Sequence, residues 1–269
     1  FYLNWKNSLQ TITKMRKDPK IAAKKVLSDL GVTDLVGLSL KDVVQSLGPF
    51  VKEEKMKGAQ GRIVIFGSNS LITVNSDIKH FGQSQFVLAH EFGHARLHAG
   101  LKPLFNCDED SFKQWLQKGE QEKEANEFAA ELLMPKAIFQ NSCKNQDFSI
   151  DLVKELANQF QTSLTSTAIR LVEQGPFSMA LVYSESNLVR WSTTSSSFPM
   201  KYIVSGSETP PESAARGWFT SETTKSKRLK SWTWFAVDYN QHKFKDTYLK
   251  EAILPIPSYN GVFSFITLH

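Results

Sequence analysis

His90-Glu91-Phe92-Gly93-His94 sets two imidazoles four residues apart with a carboxylate between them. The apolar run Phe86-Val87-Leu88-Ala89 just ahead of it predicts a helix. Residues i and i+4 of a helix lie one turn above each other, so both imidazoles can face one metal ion. Glu91 then stands beside that ion, where it can take a proton from water. Zinc held by two helical histidines needs a third protein ligand and an open position. Candidates come from the acidic stretch Glu120 to Pro135. At roughly 100° per residue, Glu120, Glu124, Glu127 and Glu131 form a stripe about 60° wide, read as a solvated acidic face. Glu122 points roughly the opposite way, onto the side of Asn126, Ala129 and Leu133, where a lone carboxylate is costly and a cation offsets it. Glu122 is therefore the expected third ligand, and Asn126, one turn on, is expected to orient a ligating imidazole. His98 continues the histidine spacing, but about 12 Å of helix rise separates it from His90. The glycine that turns the chain before a third histidine in the longer HExxHxxGxxH pattern is also missing. His98 is read as a packing or substrate-side residue. Residues 100–118, between the two stretches, are polar and acidic and are expected as a loop at the mouth of the site. A thiolate binds zinc well, so Cys107 is a candidate inhibitory fourth ligand that swings in and closes the site. The plain alternative is an ordinary loop cysteine.

Taken together, FVLAHEFGHARLH (86–98) and EKEANEFAAELLMP (122–135) resemble the ImmA/IrrE family of metallopeptidases. The likeness extends to the chain before and after them. It implies that the residues matching His90, His94 and Glu122 bind the metal, Zn2+ by expectation with Mn2+ as an alternative. It implies that the residue matching Glu91 is the catalytic acid/base. Members of the family typically cut helix-turn-helix repressors, often encoded beside them, and so switch on stress, DNA-damage, prophage or defence genes.

The elements that must position these residues are legible in outline. From Pro19, a stretch reading KIAAKKVLSDLG is expected as an amphipathic helix stopped by Gly31, and Leu40 to Gly48 as a second short helix. Residues 1–18 are polar and basic and carry no clear core face. Arg62–Phe66 and Leu71–Asn75 flank a Gly-Ser-Asn-Ser turn and predict a β-hairpin. The family resemblance implies that such a strand lies beside the cleft and pairs with extended substrate; the plain alternative is a core hairpin. Pro135 ends the acidic helix. Ser149 to Glu173 gives two short helices around residues 161–163, with helix-turn-helix spacing. A DNA-reading second helix usually shows several basic or amide side chains, whereas this one offers Arg170 alone, so the segment is read as a structural subdomain.

After Gly175-Pro176 the pattern turns to strands, expected at 179–183, 188–191, 201–204 and 231–237, with a helix from Pro211 and a type I′ turn at Asn260-Gly261. Lys227, Arg228 and Lys230 precede Trp232, an arrangement that can hold single-stranded DNA, phosphates on cations and bases on rings. The alternative is a solvated loop ahead of a buried strand.

The expected fold class is α+β. A mainly helical zinc-peptidase domain with a small β-hairpin or sheet spans 1–141, and a helix-turn-helix-like segment spans 142–175. A C-terminal α+β sensor domain spans 176–269; its GAF-like character is implied by the resemblance.

Composition bounds the function classes. The 269 residues exceed the usual single-domain size. Hydrophobic content of 41% and charged content of 22% suit an ordinary globular protein. No uninterrupted apolar run approaches the roughly 20 residues that cross a bilayer, so no membrane partner is expected. No signal peptide is visible, and the first residue is Phe1 rather than Met, the pattern of a trimmed chain. Two cysteines, Cys107 and Cys143, give no disulfide framework and fit a cytoplasmic protein. A net charge of +5 permits contact with nucleic acid without arguing for it. The reading is a zinc-dependent endopeptidase whose substrate is a helix-turn-helix repressor, with single-stranded DNA or a small ligand as activator sensed by the C-terminal domain. The competing reading is a non-catalytic DNA-binding or ligand-sensing regulator whose zinc, closed by Cys107, is only structural.

Overall fold

A computed structural model describes residues 18–99, 104–107, 119–221 and 224–269. The chain divides into two compact units, residues 1–138 with 160–163, and residues 139–159 with 164–269. The basic leader expected over 1–18 lies, Asp18 apart, outside the described residues, as does most of 100–118. No helix among the described residues is long and apolar enough to cross a membrane.

In the first unit, helix α1 (Pro19–Asp29) starts where the Asp18 carboxylate accepts the backbone N–H groups of Lys20 and Ile21, at 2.8 and 3.1 Å. A side chain that satisfies otherwise orphaned first-turn donors fixes a helix start. Helix α2 (Leu40–Ser46) begins in the same way at Ser39. Strands β1 (Phe50–Glu54), β2 (Gly61–Phe66) and β3 (Asn69–Asn75) follow. With β4 (Leu104–Cys107) they form a sheet of order β1-β3-β2-β4, in which only β1 and β3 run parallel. The strand at 104–107 corrects the expectation of a loop there. Its alternation is real, with Leu104 exposed and Phe105 and Cys107 buried, but four residues among polar neighbours carry too little of a period-two signal.

Helix α3 (Phe81–Leu97) packs on β2 and β3. Nine consecutive residues, Phe86 through His94, are buried, so this helix has no solvent face along its middle and occupies the centre of the unit. Helix α4 (Glu120–Leu133) lies against it. A Cβ at Gly93 would meet Phe128 at 3.1 Å and the Ala125 carbonyl at 3.2 Å, so the glycine permits the close approach. Phe92 and Phe128 meet edge to face at 5.7 Å. Helix α1 covers another side of α4, with Lys20 3.8 Å from Glu127 and Lys24 3.9 Å from Glu131. Glu131, read from the sequence as part of a solvated stripe, is therefore only 2% exposed, and it also accepts the Lys136 N–H. The wheel places a side chain on a face but does not reveal which face a distant helix will cover.

After Pro135, helix α5 (Lys136–Ser142) begins. The second unit carries helices α6 (Ile150–Gln159) and α7 (Leu164–Gln174), which pack on each other through Leu152, Val153, Leu156, Ala168, Leu171 and their neighbours. Strands β5 (Met179–Glu185), β6 (Leu188–Thr194), β7 (Ser226–Lys230), β8 (Tyr248–Ile256) and β9 (Gly261–Leu268) form an antiparallel sheet of order β6-β5-β9-β8-β7. Its core includes Ala180, Val182, Phe198, Trp234, Phe235 and Ile266. Between β6 and β7, Ser213 caps helix α8 (Ala214–Phe219).

Four local readings are corrected in this unit. Residues 201–204 form no strand, and Asp238 ties them instead to a loop. Trp232–Phe235 is a helical turn, α9, although its aromatic composition favours a strand. The basic run at 226–230 is a sheet edge rather than a loop. The β8–β9 hairpin turns through a 3-10 segment, Pro257–Tyr259, with Asn260 alone in the left-handed region (φ 46°); a proline between the strands leaves no room for a two-residue turn. A last short helix, α10 (Gln241–Phe244), precedes β8.

Candidate metal centre

Helix α3 carries His90 and His94 one turn apart with their Nε2 atoms 3.1 Å from each other. The first turn of α4 brings Glu122 to the same point, its oxygens 3.3 Å from His90 Nε2 and 3.5 Å from His94 Nε2. Cys107, at the end of β4, completes the cluster, with Sγ 3.2 Å from His90 Nε2 and 3.8 Å from both His94 Nε2 and a Glu122 oxygen. All four donor atoms lie within 4.8 Å of one another. Donors about 2.0–2.3 Å from a tetrahedral zinc stand about 3.3–3.8 Å apart, close to the separations seen.

The hydrogen bonds behind the cluster decide which ring nitrogens point inward. Asn126 Oδ1 lies 2.8 Å from His90 Nδ1; an amide oxygen only accepts, so Nδ1 holds the proton and Nε2 is left with a lone pair. A relay does the same for His94. Glu124 Oε2 stands 2.8 Å from His98 Nε2, and His98 Nδ1 stands 3.0 Å from His94 Nδ1. With its Nε2 N–H donating to the carboxylate, His98 presents the lone pair of Nδ1 to His94, which donates there. Two imidazole lone pairs, a carboxylate and a sulfur thus converge in a nearly dry space. A proton on His90 can serve only two of these atoms, and burial opposes it, although Glu122, Glu91 and Asn126 together outweigh burial and raise its pKa. A divalent cation meets all four donors at once, and the donor set fits one.

Glu91 is fully buried, and neither of its carboxylate oxygens has a hydrogen-bond partner among the described residues. Burial pushes its pKa up to about 7, with His90 and the nearby Cys107 thiol pulling it down and Glu122 adding to the rise. A carboxylate poised near neutrality is suited to exchanging protons. Gly61, at the start of β2, makes room for it: a Cβ there would run into Glu91 Oε1 and sit 2.7 Å from Val87 Cγ1. Phe105 stacks on the His94 ring at 4.1 Å between centroids, tilted by 24°. For Cys107, burial drives the thiol far above its ordinary pKa, and the carboxylates of Glu91 and Glu122 add to that.

His90, Glu91, His94, Glu122, Asn126 and Cys107 are therefore gathered in one place. Behind His94 stand His98, read from the sequence as a packing or substrate-side residue, and Glu124, read as part of the solvated stripe; Gly61 beside Glu91 and Phe105 beside His94 had no role in that reading. For His98 the i+4 spacing was a usable signal; for the other three there was none.

The remaining candidates belong to the second unit. Arg228 and Lys230, on edge strand β7, both lie 4.0 Å from the Tyr248 ring centre, and Lys230 is 5.5 Å from that of Trp232. Lys227 Nζ lies 3.5 Å from the Ser213 carbonyl oxygen. These contacts form a small patch of cations on rings.

Residues 44–172 match the peptidase family model described as the IrrE N-terminal-like domain. A Bacillus phage phi105 protein, "Uncharacterized immunity region protein 2", is 35% identical over 83 residues, which are 31% of this chain and 49% of that protein. The chain thus spans about half the length of this curated relative. A solved structure titled "Mycobacterium tuberculosis transcriptional regulator" is similar with a TM-score of 0.58 at 13% identity, covering 93% of this chain and 76% of that one; at that identity it speaks for the fold alone. The paired histidine and glutamate stretches fall inside the matched region, and residues 44–172 are an IrrE N-terminal-like domain of the ImmA/IrrE family.

Proposed function

We propose that this chain is a zinc-dependent endopeptidase that controls gene expression by cutting a repressor. The observation that carries the reading is a buried carboxylate, Glu91, with no hydrogen-bond partner among the described residues, beside two imidazoles whose lone pairs meet a second carboxylate, Glu122. His90, His94 and Glu122 would hold the ion, with Mn2+ as an alternative to Zn2+. When bound, it supplies Lewis acidity that polarises a scissile carbonyl and acidifies water. Glu91 takes the proton from that water on one of its oxygens and later returns it to the leaving amine. Asn126 and the His98–Glu124 pair keep the ligating nitrogens free of protons. The substrate class, a helix-turn-helix repressor, rests on the family and on the immunity-region label of the phage relative. Residues 176–269 are proposed as the domain that senses the signal, in the arrangement 1–141, 142–175 and 176–269. A cytoplasmic location is part of the same proposal.

The test is incubation of the purified chain, and of its Cys107→Ser variant, with the repressor encoded beside its gene. A single cleavage that a chelator stops, and that Glu91→Gln abolishes, supports the reading. Intact repressor with both metal-loaded proteins overturns it. A second reading is favoured by the position of Cys107: four protein donors make a closed, structural zinc site in a regulator that does no chemistry. That reading requires the Cys107→Ser variant to be as inert as the parent.

A further inference from the structure

Strand β4 stands where a zinc peptidase needs an opening. It pairs antiparallel with β2 through Gly61 with Cys107, Arg62 with Asn106, Ile63 with Phe105 and Val64 with Leu104, and the Gln60 N–H donates to the Cys107 carbonyl at 2.8 Å. Strand β2 is already bonded to β3 on its other side, so β4 fills its remaining edge. An extended peptide binds a sheet by adding a strand at such an edge. At the end of β4, Cys107 is wholly buried with its sulfur among His90, His94 and Glu122. Phe105, two residues earlier and 5% exposed, lies flat on the His94 ring. The segment therefore blocks two things at once, the edge of β2 and the fourth corner of the ligand set.

Resting on the metal-centre reading above, we infer that Leu104–Cys107 is a built-in plug: its backbone occupies the edge that a substrate strand would take, and the Cys107 sulfur supplies a fourth metal ligand that closes the site. As the sulfur–metal bond forms, the thiol proton passes to solvent, and no bond of the chain is broken. Because one four-residue strand carries both blocks, lifting β4 from β2 opens the edge and the coordination position together. A competing strand that pairs with β2 is thus both substrate and key. The short ladder suits such release, since few backbone bonds must be exchanged.

The experiment loads the full purified chain, its Cys107→Ser variant and its Cys107→Ala variant with Co2+ in place of zinc. The expected result is one cobalt per chain in all three proteins, with a near-ultraviolet sulfur-to-cobalt charge-transfer band in the parent that both variants lack. Cleavage by the Cys107→Ser protein should also exceed the parent's by about tenfold or more, as expected when the closed form is the major population. If the parent binds one cobalt and its spectrum matches that of the variants, Cys107 is no ligand and the plug is overturned while the metal centre stands. If none of the three proteins binds cobalt, the metal-centre reading itself falls and this inference with it.

Discussion

Glu124 Oε2 stands 2.8 Å from Nε2 of His98, and through that contact it acts on the next histidine along the helix, His94. Holding the His98 proton on Nε2 leaves Nδ1 as the acceptor that faces His94, 3.0 Å away. His94 must then donate from Nδ1 and present a lone pair at Nε2. Asn126 performs the same service for His90. Partners of this kind fix the ring tautomer and orientation, and losing one typically weakens metal binding about 10–100-fold. Glu124→Gln and His98→Ala should each show a loss of that size in a competition titration against a chromophoric chelator. Glu127→Gln, on the same helix but ion-paired with Lys20 at 3.8 Å, should leave affinity unchanged. Equal affinity in all three variants would remove the relay from the account.

The approach of β2 to helix α3 makes a separate prediction. A methyl group at Gly61 has no place to go, since Glu91 Oε1 and Val87 Cγ1 already fill it. Forcing an extra carbon into packed surroundings costs about 1–3 kcal/mol. Gly61→Ala should therefore lower the unfolding free energy by that amount. It should also cut repressor cleavage, because the carboxylate that gives way is Glu91. Metal stoichiometry should stay at one, since His90, His94 and Glu122 are not displaced. A stable and fully active Gly61→Ala protein would show that Glu91 has more room than the structure allows.

The parts of this site that could be read in the sequence are those set by local geometry. His90 and His94 share a helix, and i,i+4 spacing alone puts their rings together. Glu122 is separated from Glu120, Glu124, Glu127 and Glu131 by its angle on the wheel, which again needs only one helix. The place of Cys107 depends on β4 pairing with β2 across more than forty residues of chain, and no local pattern encodes that. The burial of Glu131 depends on where helix α1 lies. In the second unit the β5–β6 hairpin followed from alternation and turn residues, whereas Asn260-Gly261 marked the place of the β8–β9 turn but not its form, a 3-10 segment. Trp232–Phe235 misled because large aromatics suit a buried strand as well as a buried helical turn. Two of them, Trp234 and Phe235, are core residues in either case.

The role of Glu91 separates binding from chemistry. Among the described residues its oxygens have no hydrogen-bond partner, so replacing the carboxylate by an amide of the same shape removes the base without breaking a network seen there. Glu91→Gln should keep one metal per chain and lose cleavage by at least about 10²-fold, the usual contribution of a general base. His90→Ala should lose both metal and cleavage. Should Glu91→Gln cut the repressor at the parent rate, the proton must be taken by another group, and the central assignment fails.

The sheet-edge loop of the second unit carries a pH prediction. Burial alone would raise the Asp238 pKa, but backbone N–H groups of Tyr202, Lys201 and Asn240 at 2.7, 2.6 and 2.8 Å outweigh it, and the carboxyl sits below its ordinary range. The bonds from Lys201 and Tyr202 also explain why residues 201–204 follow a loop rather than join the sheet. A depressed pKa in the folded state means that the ionised form stabilises the fold. That stability is fully present above the unfolded pKa of about 3.9 and is lost as pH falls through the lower folded value. Asp238→Asn keeps the shape but removes the charge, and hydrogen bonds to charged groups are the stronger ones. Chemical unfolding at pH 7 should show Asp238→Asn less stable by about 1–3 kcal/mol. The gap between variant and parent should hold steady down to about pH 5 and shrink below about pH 4 as the parent carboxylate takes up its proton. A gap of constant size across that range would mean that Asp238 acts through its shape and not through its charge.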